Sequence, residues 1–187
     1  MQLSVKDLEK LQQVLAEKHL DYQTELVDGN IIVMGLSDYV SEEIIARLIG
    51  FLQAWVLPRR LGRVTGSSAG FRLPNAAQDL RGPDVSFVSA ERMRRWPRDF
   101  AELVPDLMVE VKSKTDRIKP LEEKIQQFLK LGTEVGMLID PDKQTVTIYY
   151  RNGRQPMVLG NGDIIALPEL LPGWEVSVSE LWPPVFE

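Results

Sequence analysis

Two stretches decide how this chain reads: Pro83-Asp84-Val85-Ser86-Phe87-Val88-Ser89 and Pro105-Asp106-Leu107-Met108-Val109-Glu110-Val111-Lys112. Each opens on a proline and continues as a short run rich in Val, Phe, Leu and Met, which reads as a strand. Leu107, Met108, Val109 and Val111 are apolar, as expected of a strand covered on both faces. Glu110 and Lys112 intrude on it two positions apart, so their side chains project from one face. Charge buried there is costly unless it is paired or bound to a metal. The plain alternative is a strand that ends at Val109 with both charges solvated. Asp84 opens the first strand 26 residues before Glu110. Alone it would read as a turn residue after Gly82-Pro83. If the two strands pair, Asp84 stands beside Glu110, and a divalent cation would relieve the repulsion between the carboxylates.

The flanking sequence supplies elements to carry these strands. Ser4 and Asp7 form a loose capping signal before Val5, Leu8, Leu11, Val14 and Leu15, which recur at helical spacing. Tyr22–Val27, Asp28-Gly29 and Asn30–Met34 read as a hairpin with a tight primed turn. A long helix starts at Ser37 or Asp38, carries Val40, Ile44, Leu48, Leu52 and Trp55 as its buried stripe, and ends at Pro58. Gly62–Thr65 and Phe71–Leu73 read as short strands around a turn at Gly66–Gly70. After the central pair, Ile118, Leu121, Ile125, Phe128 and Leu129 mark a helix that Gly132 stops. Val135–Ile139 and Thr145–Tyr150 are strands, and Asn152-Gly153 turns into Pro156–Leu159. The proline-bearing tail reads as mostly irregular. The expectation is one domain over residues 1–187, a mixed α/β fold whose central sheet is flanked by helices.

Composition narrows the chemistry. The chain has 187 residues, no cysteine and one histidine, His19. This excludes a disulfide framework, a thiolate zinc site, a cysteine nucleophile and an HExxH helix. What is left is carboxylates, lysine, arginine, hydroxyls and a hard metal ion bound through oxygen. The net charge is -5, yet residues 51–100 hold nine arginines against Asp79, Asp84, Glu91 and Asp99, a local +5 on an otherwise acidic protein. Those arginines read either as a field that steers a phosphate polymer or as solvated loop residues. No apolar run spans a bilayer, and no secretory leader is visible, so a soluble cytoplasmic protein is expected.

Pro83-Asp84 with Glu110-Val111-Lys112 resembles the signature of the PD-(D/E)XK nuclease superfamily. The surrounding order is similar to the Uma-type family of bacterial restriction-endonuclease-like proteins, over roughly Tyr22 to Tyr150. That order runs through the Asp-Gly hairpin, the long helix, Gly62 and the Gly/Ser loop, then Lys124, Phe128, Gly132 and Leu138-Ile139-Asp140-Pro141. The resemblance implies a restriction-endonuclease-like fold in which Asp84 and Glu110 coordinate Mg²⁺ (or Mn²⁺), with the Val111 carbonyl as a further ligand. Lys112 would orient or help deprotonate the attacking water and offset phosphate charge. It implies a DNA endonuclease, and cutting both strands suits a homodimer or higher homo-oligomer. Glu42 and Glu43, in the first turn of the long helix, are explained as well by a helix start as by a site. Lys124 matches a family position but is expected to face solvent. Trp55, Phe71, Trp96 and Trp174 read as core or interface residues. The rival reading is a non-catalytic nuclease-like scaffold or nucleic-acid-binding module. Paired-carboxylate glycoside hydrolysis lacks the aromatic residues of a sugar cleft.

Overall fold

Asp28 and Gly29 both adopt positive φ, 47° and 73°, as a primed two-residue turn requires. They join Gln23–Val27 to Asn30–Met34 in register from Val27↔Asn30 to Gln23↔Met34. The computed structural model describes residues 2–20 and 22–187. In chain order the elements are α1 (Val5–Glu17), β1 (Gln23–Val27), β2 (Asn30–Met34), α2 (Tyr39–Arg59), β3 (Gly62–Gly66), β4 (Phe71–Arg72), β5 (Leu80–Arg81) and β6 (Val85–Ser89). There follow β7 (Leu107–Val111), α3 (Ile118–Leu131), β8 (Val135–Asp140), β9 (Thr145–Tyr150), β10 (Met157–Leu159), β11 (Ile164–Ala166), β12 (Glu175–Ser177) and a 3-10 turn at Val178–Leu181.

The central sheet has six strands in the order β10-β9-β8-β7-β6-β3. Only β7 and β8 run parallel, joined by α3 as the crossover that parallel strands need. The alternation of β7 sorts its side chains between two layers. Leu107, Val109 and Val111 join Ile44, Leu48 and Leu52 of α2, whereas Met108 joins Ile125, Phe128 and Leu129 of α3. The sheet is thus a middle layer with one long helix on each face, the mixed central sheet expected from the sequence. A second sheet, β2-β1-β5-β4, lies beside it, with α1 on Leu26 and Leu80.

The helix ends follow local chemistry. Ser4 and Asp7 form a full capping box on α1. Asp38 caps α2 by accepting from the Val40 and Ser41 N–H groups, both at 3.1 Å. That helix runs one residue past Pro58 before Arg60 closes it in the left-handed conformation. Val40, assigned to the buried stripe, is exposed, because the stripe begins one turn later at Ile44.

The tail is mostly irregular, as expected, but it is not loose: β11 and β12 form a short hairpin, and Ile165, Leu167, Leu171, Trp174, Val176 and Leu181 enter the same core as α2. Prolines there place turns around short strands; they do not signal a loose end. Among the described residues no helix is long and apolar enough to cross a membrane.

Candidate functional site

The register Val85↔Val109 in the antiparallel β6–β7 pair carries Asp84, one residue before β6, opposite Glu110. Both lie on the α3 side, by alternation with Met108. Asp84 is fixed through its Oδ2, which accepts the Val111 N–H at 2.7 Å. Glu110 is 3% exposed. The two carboxylates that the sequence singled out are therefore brought together at the end of the central strand pair.

The lysine that meets them is Lys124, not Lys112. Lys124 was expected to face solvent; it is buried. Its Nζ donates to Glu110 Oε2 at 3.1 Å and to the Gly82 carbonyl at 2.8 Å. It also lies 3.2 Å from Glu25 Oε1 and 3.0 Å from Glu110 Oε1. The reason is helical phase: Leu121, Lys124, Ile125 and Phe128 fall at i, i+3, i+4 and i+7, the apolar stripe itself. That spacing is a signal the sequence did contain. Lys112 shares the face of Glu110 but lies past the end of β7, where its Nζ meets Asp142 Oδ2 at 2.6 Å and the Ser113 carbonyl at 3.2 Å.

Glu25 of β1 was missed, because one acid in a half-polar hairpin strand carries no mark of burial. It is 4% exposed and accepts the Gly82 N–H at 2.8 Å and Arg81 Nε at 3.2 Å. Arg81 in turn reaches Gln127 of α3 at 2.8 Å, and Gln127 reaches Asp79 at 2.7 Å. A continuous polar chain thus runs from the second sheet through α3 to the central strands.

Burial raises the Glu110 carboxyl well above its usual range; the Asp84 charge adds to this and Lys124 opposes it. Burial likewise raises Asp84, against the Val111 N–H and Lys124. Burial pushes Glu25 up too, but Lys124, Arg81 and the Gly82 N–H outweigh it and hold the carboxyl below its usual value. Desolvation would lower Lys124, yet Glu110 and Glu25 keep it raised and protonated. Glu42 lies close enough for its charge to raise Asp84 further, whereas Glu43 is engaged by Arg47 at 3.0 Å.

The donor set suits a hard cation. Glu110 Oε1 is buried with no hydrogen-bond donor aligned on it, although the Lys124 ammonium is at ion-pair distance. With Asp84 beside it, the pair offers oxygen ligands, as magnesium-type ions require. Among the described residues no group of three acidic or imidazole side chains is arranged to hold a metal ion, so a cation here would need oxygen ligands beyond the carboxylates. Three of the nine arginines in residues 51–100 are ion-paired within the protein: Arg81 with Glu25, Arg92 with Asp106, and Arg72 with Glu9 and Glu102.

The family model described as "Uma2: Putative restriction endonuclease" matches residues 6–179. This reaches beyond the Tyr22–Tyr150 span in both directions, as the docking of α1 and the tail would require. A solved structure described as "a putative nuclease belonging to DUF820 from Anabaena variabilis ATCC 29413" is similar to the chain. Its TM-score is 0.75 at 23% identity, covering 84% of this chain and 88% of that one, a likeness of fold. No curated protein matches the chain.

Proposed function

The chain belongs to the Uma2 family, and from that premise we propose that it hydrolyses phosphodiester bonds in DNA with a divalent cation held by Asp84 and Glu110. The observation that carries this reading is the pairing of the two carboxylates at the end of β6 and β7. Mg²⁺ or Mn²⁺ is the ion such a donor set favours, with the Val111 carbonyl as third ligand. When bound, it would polarise a phosphoryl oxygen and acidify its bound water.

The chain's own groups do the rest. The Val111 N–H keeps Asp84 turned toward Glu110. Lys124 neutralises and orients Glu110 from the helix side. Lys112 offsets phosphate charge and orients the attacking water. Its partner Asp142 has a side chain that is 69% exposed, so the carboxylate can return to water when a phosphate takes its place. A symmetric homodimer would supply the two sites that a double-strand cut needs. The test is nicking of supercoiled plasmid with Mg²⁺ or Mn²⁺, where Asp84→Ala and Lys112→Ala should each abolish the activity. Variants that cut as well as the parent would remove these roles.

A non-catalytic scaffold is the second reading. It is favoured by Lys124, which satisfies Glu25 and Glu110 electrostatically without any metal. That reading predicts a folded wild-type protein that never nicks DNA with either ion.

A further inference from the structure

The loop from Glu91 to Arg98 was left without a role by the carboxylate site, and its construction is unusual for a solvated connection. We propose that it is a separate nucleic-acid contact, in which Arg94, Arg95 and Arg98 bind phosphates and Trp96 stacks on a base. It sits at the Ser89 end of β6, whereas Asp84 precedes the other end, a strand length of roughly 17 Å away. It therefore extends the surface that touches nucleic acid; it is not part of the hydrolytic centre. It also goes beyond the hydrolytic reading, since it would bind even if the carboxylates held no metal.

Three observations carry it. The loop is held rigid from beneath. Arg92 pairs with Asp106 at 2.6 Å and donates to the Val104 carbonyl at 2.9 Å. Arg63 donates to the carbonyls of Met93 and Arg94, both at 3.2 Å. Next, what the loop presents outward is positive and unpaired: Arg94, Arg95 and Arg98 are exposed and have no ion-pair partner among the described residues. Glu91 and Asp99 are the only acids in the loop and at its edge, and the Ala90 N–H bond to the Leu61 carbonyl sets the α2–β3 corner, with Arg60, alongside. Finally, Trp96 is 69% exposed, with the Arg63 guanidinium 5.0 Å from its ring centroid. A large aromatic held in water on a basic rim, one face backed by a cation, matches the stacking platform and charged groove of proteins that hold single strands. An acidic protein would use the arginines but would not need the open ring.

The test is fluorescence anisotropy with a labelled single strand and the same sequence as a duplex, in EDTA so that cutting cannot occur. The triple variant Arg94→Ala/Arg95→Ala/Arg98→Ala should bind at least about tenfold more weakly, with a salt slope reduced by about 0.7 per lost phosphate contact on single strands. Trp96→Ala should weaken single-strand binding roughly five- to hundredfold. The arginine-to-lysine triple should keep most of the salt slope, showing that charge and not folding is read. Binding by the wild type in EDTA, with no divalent cation present, separates this proposal from the hydrolytic one. Wild-type affinity in the triple variant would overturn it. A Trp96→Ala protein that binds unchanged, with loss confined to the arginines, would overturn the stacking role and point to a generic polyanion contact.

Discussion

Lys112 and Lys124 exchange the roles their sequence positions suggest. The first lies in the motif but contacts exposed Asp142; the second lies on a helix but is enclosed between Glu25 and Glu110. Removing Lys124 leaves two buried carboxylates without their shared cation, so Lys124→Ala should cost about 3–5 kcal/mol in urea unfolding. Lys112→Ala should cost less, about 1 kcal/mol by the same measurement, because the partner it leaves behind, Asp142, is exposed and stays hydrated. The reverse ranking would contradict this assignment of the two ammonium groups. Asp38 gives a cleaner electrostatic test. Burial is the largest single influence and opposes its charge, but the N–H groups of Lys114, Ser41 and Val40 and the Ser41 hydroxyl together outweigh it and hold the carboxyl below its usual 3.8. The unfolded chain then takes up the proton at higher pH than the folded one, so the stabilisation is present above pH 3.8 and is lost as pH falls through the folded value. Asp38→Ala should lower stability by about 1 kcal/mol at neutral pH, and the gap to wild type should close in acid. A gap that persists unchanged in acid would contradict the capping account.

At the scale of elements, the site depends on how α3 lies on β8. Gly136 of β8 faces Ile125, and an added Cβ would collide with the Ile125 Cγ2. Gly136→Ala should therefore push α3 outward at the residue next to Lys124. The expected cost is about 1–3 kcal/mol from overpacking, together with weaker cation binding. Gly50→Ala is the control: nothing lies within 4 Å of its added Cβ inside α2, so stability should rise by about 0.5–1 kcal/mol. Equal effects of the two substitutions would show that helix placement is not what Gly136 protects. The helices, the Asp-Gly hairpin and the central strands were legible because each carries its own periodicity or turn chemistry. The β11–β12 hairpin was not, because its strands are three residues each, too short for alternation to show, and its apolar residues acquire meaning only against α2.

For the whole molecule, the carboxylate pair and the exposed arginines Arg94, Arg95 and Arg98 lie beyond opposite ends of β6. Asp84 and Glu110 were legible, since an acid in a strand this apolar calls for a partner. The partner was harder to read: Glu25 and Arg81 come from a second sheet whose placement no local pattern specifies. The concentration of arginines in residues 51–100 likewise hid a division. Arg81 and Arg92 tie elements together inside the protein, while Arg94, Arg95 and Arg98 face water. The central claim is that Asp84 and Glu110 hold a divalent cation, and calorimetric titration of Mn²⁺ into metal-free wild type and Glu110→Gln tests it most directly. The account predicts saturable binding to wild type, weakened at least about tenfold in the variant because an anionic oxygen ligand is lost. No binding to wild type, or equal binding to both proteins, would contradict it.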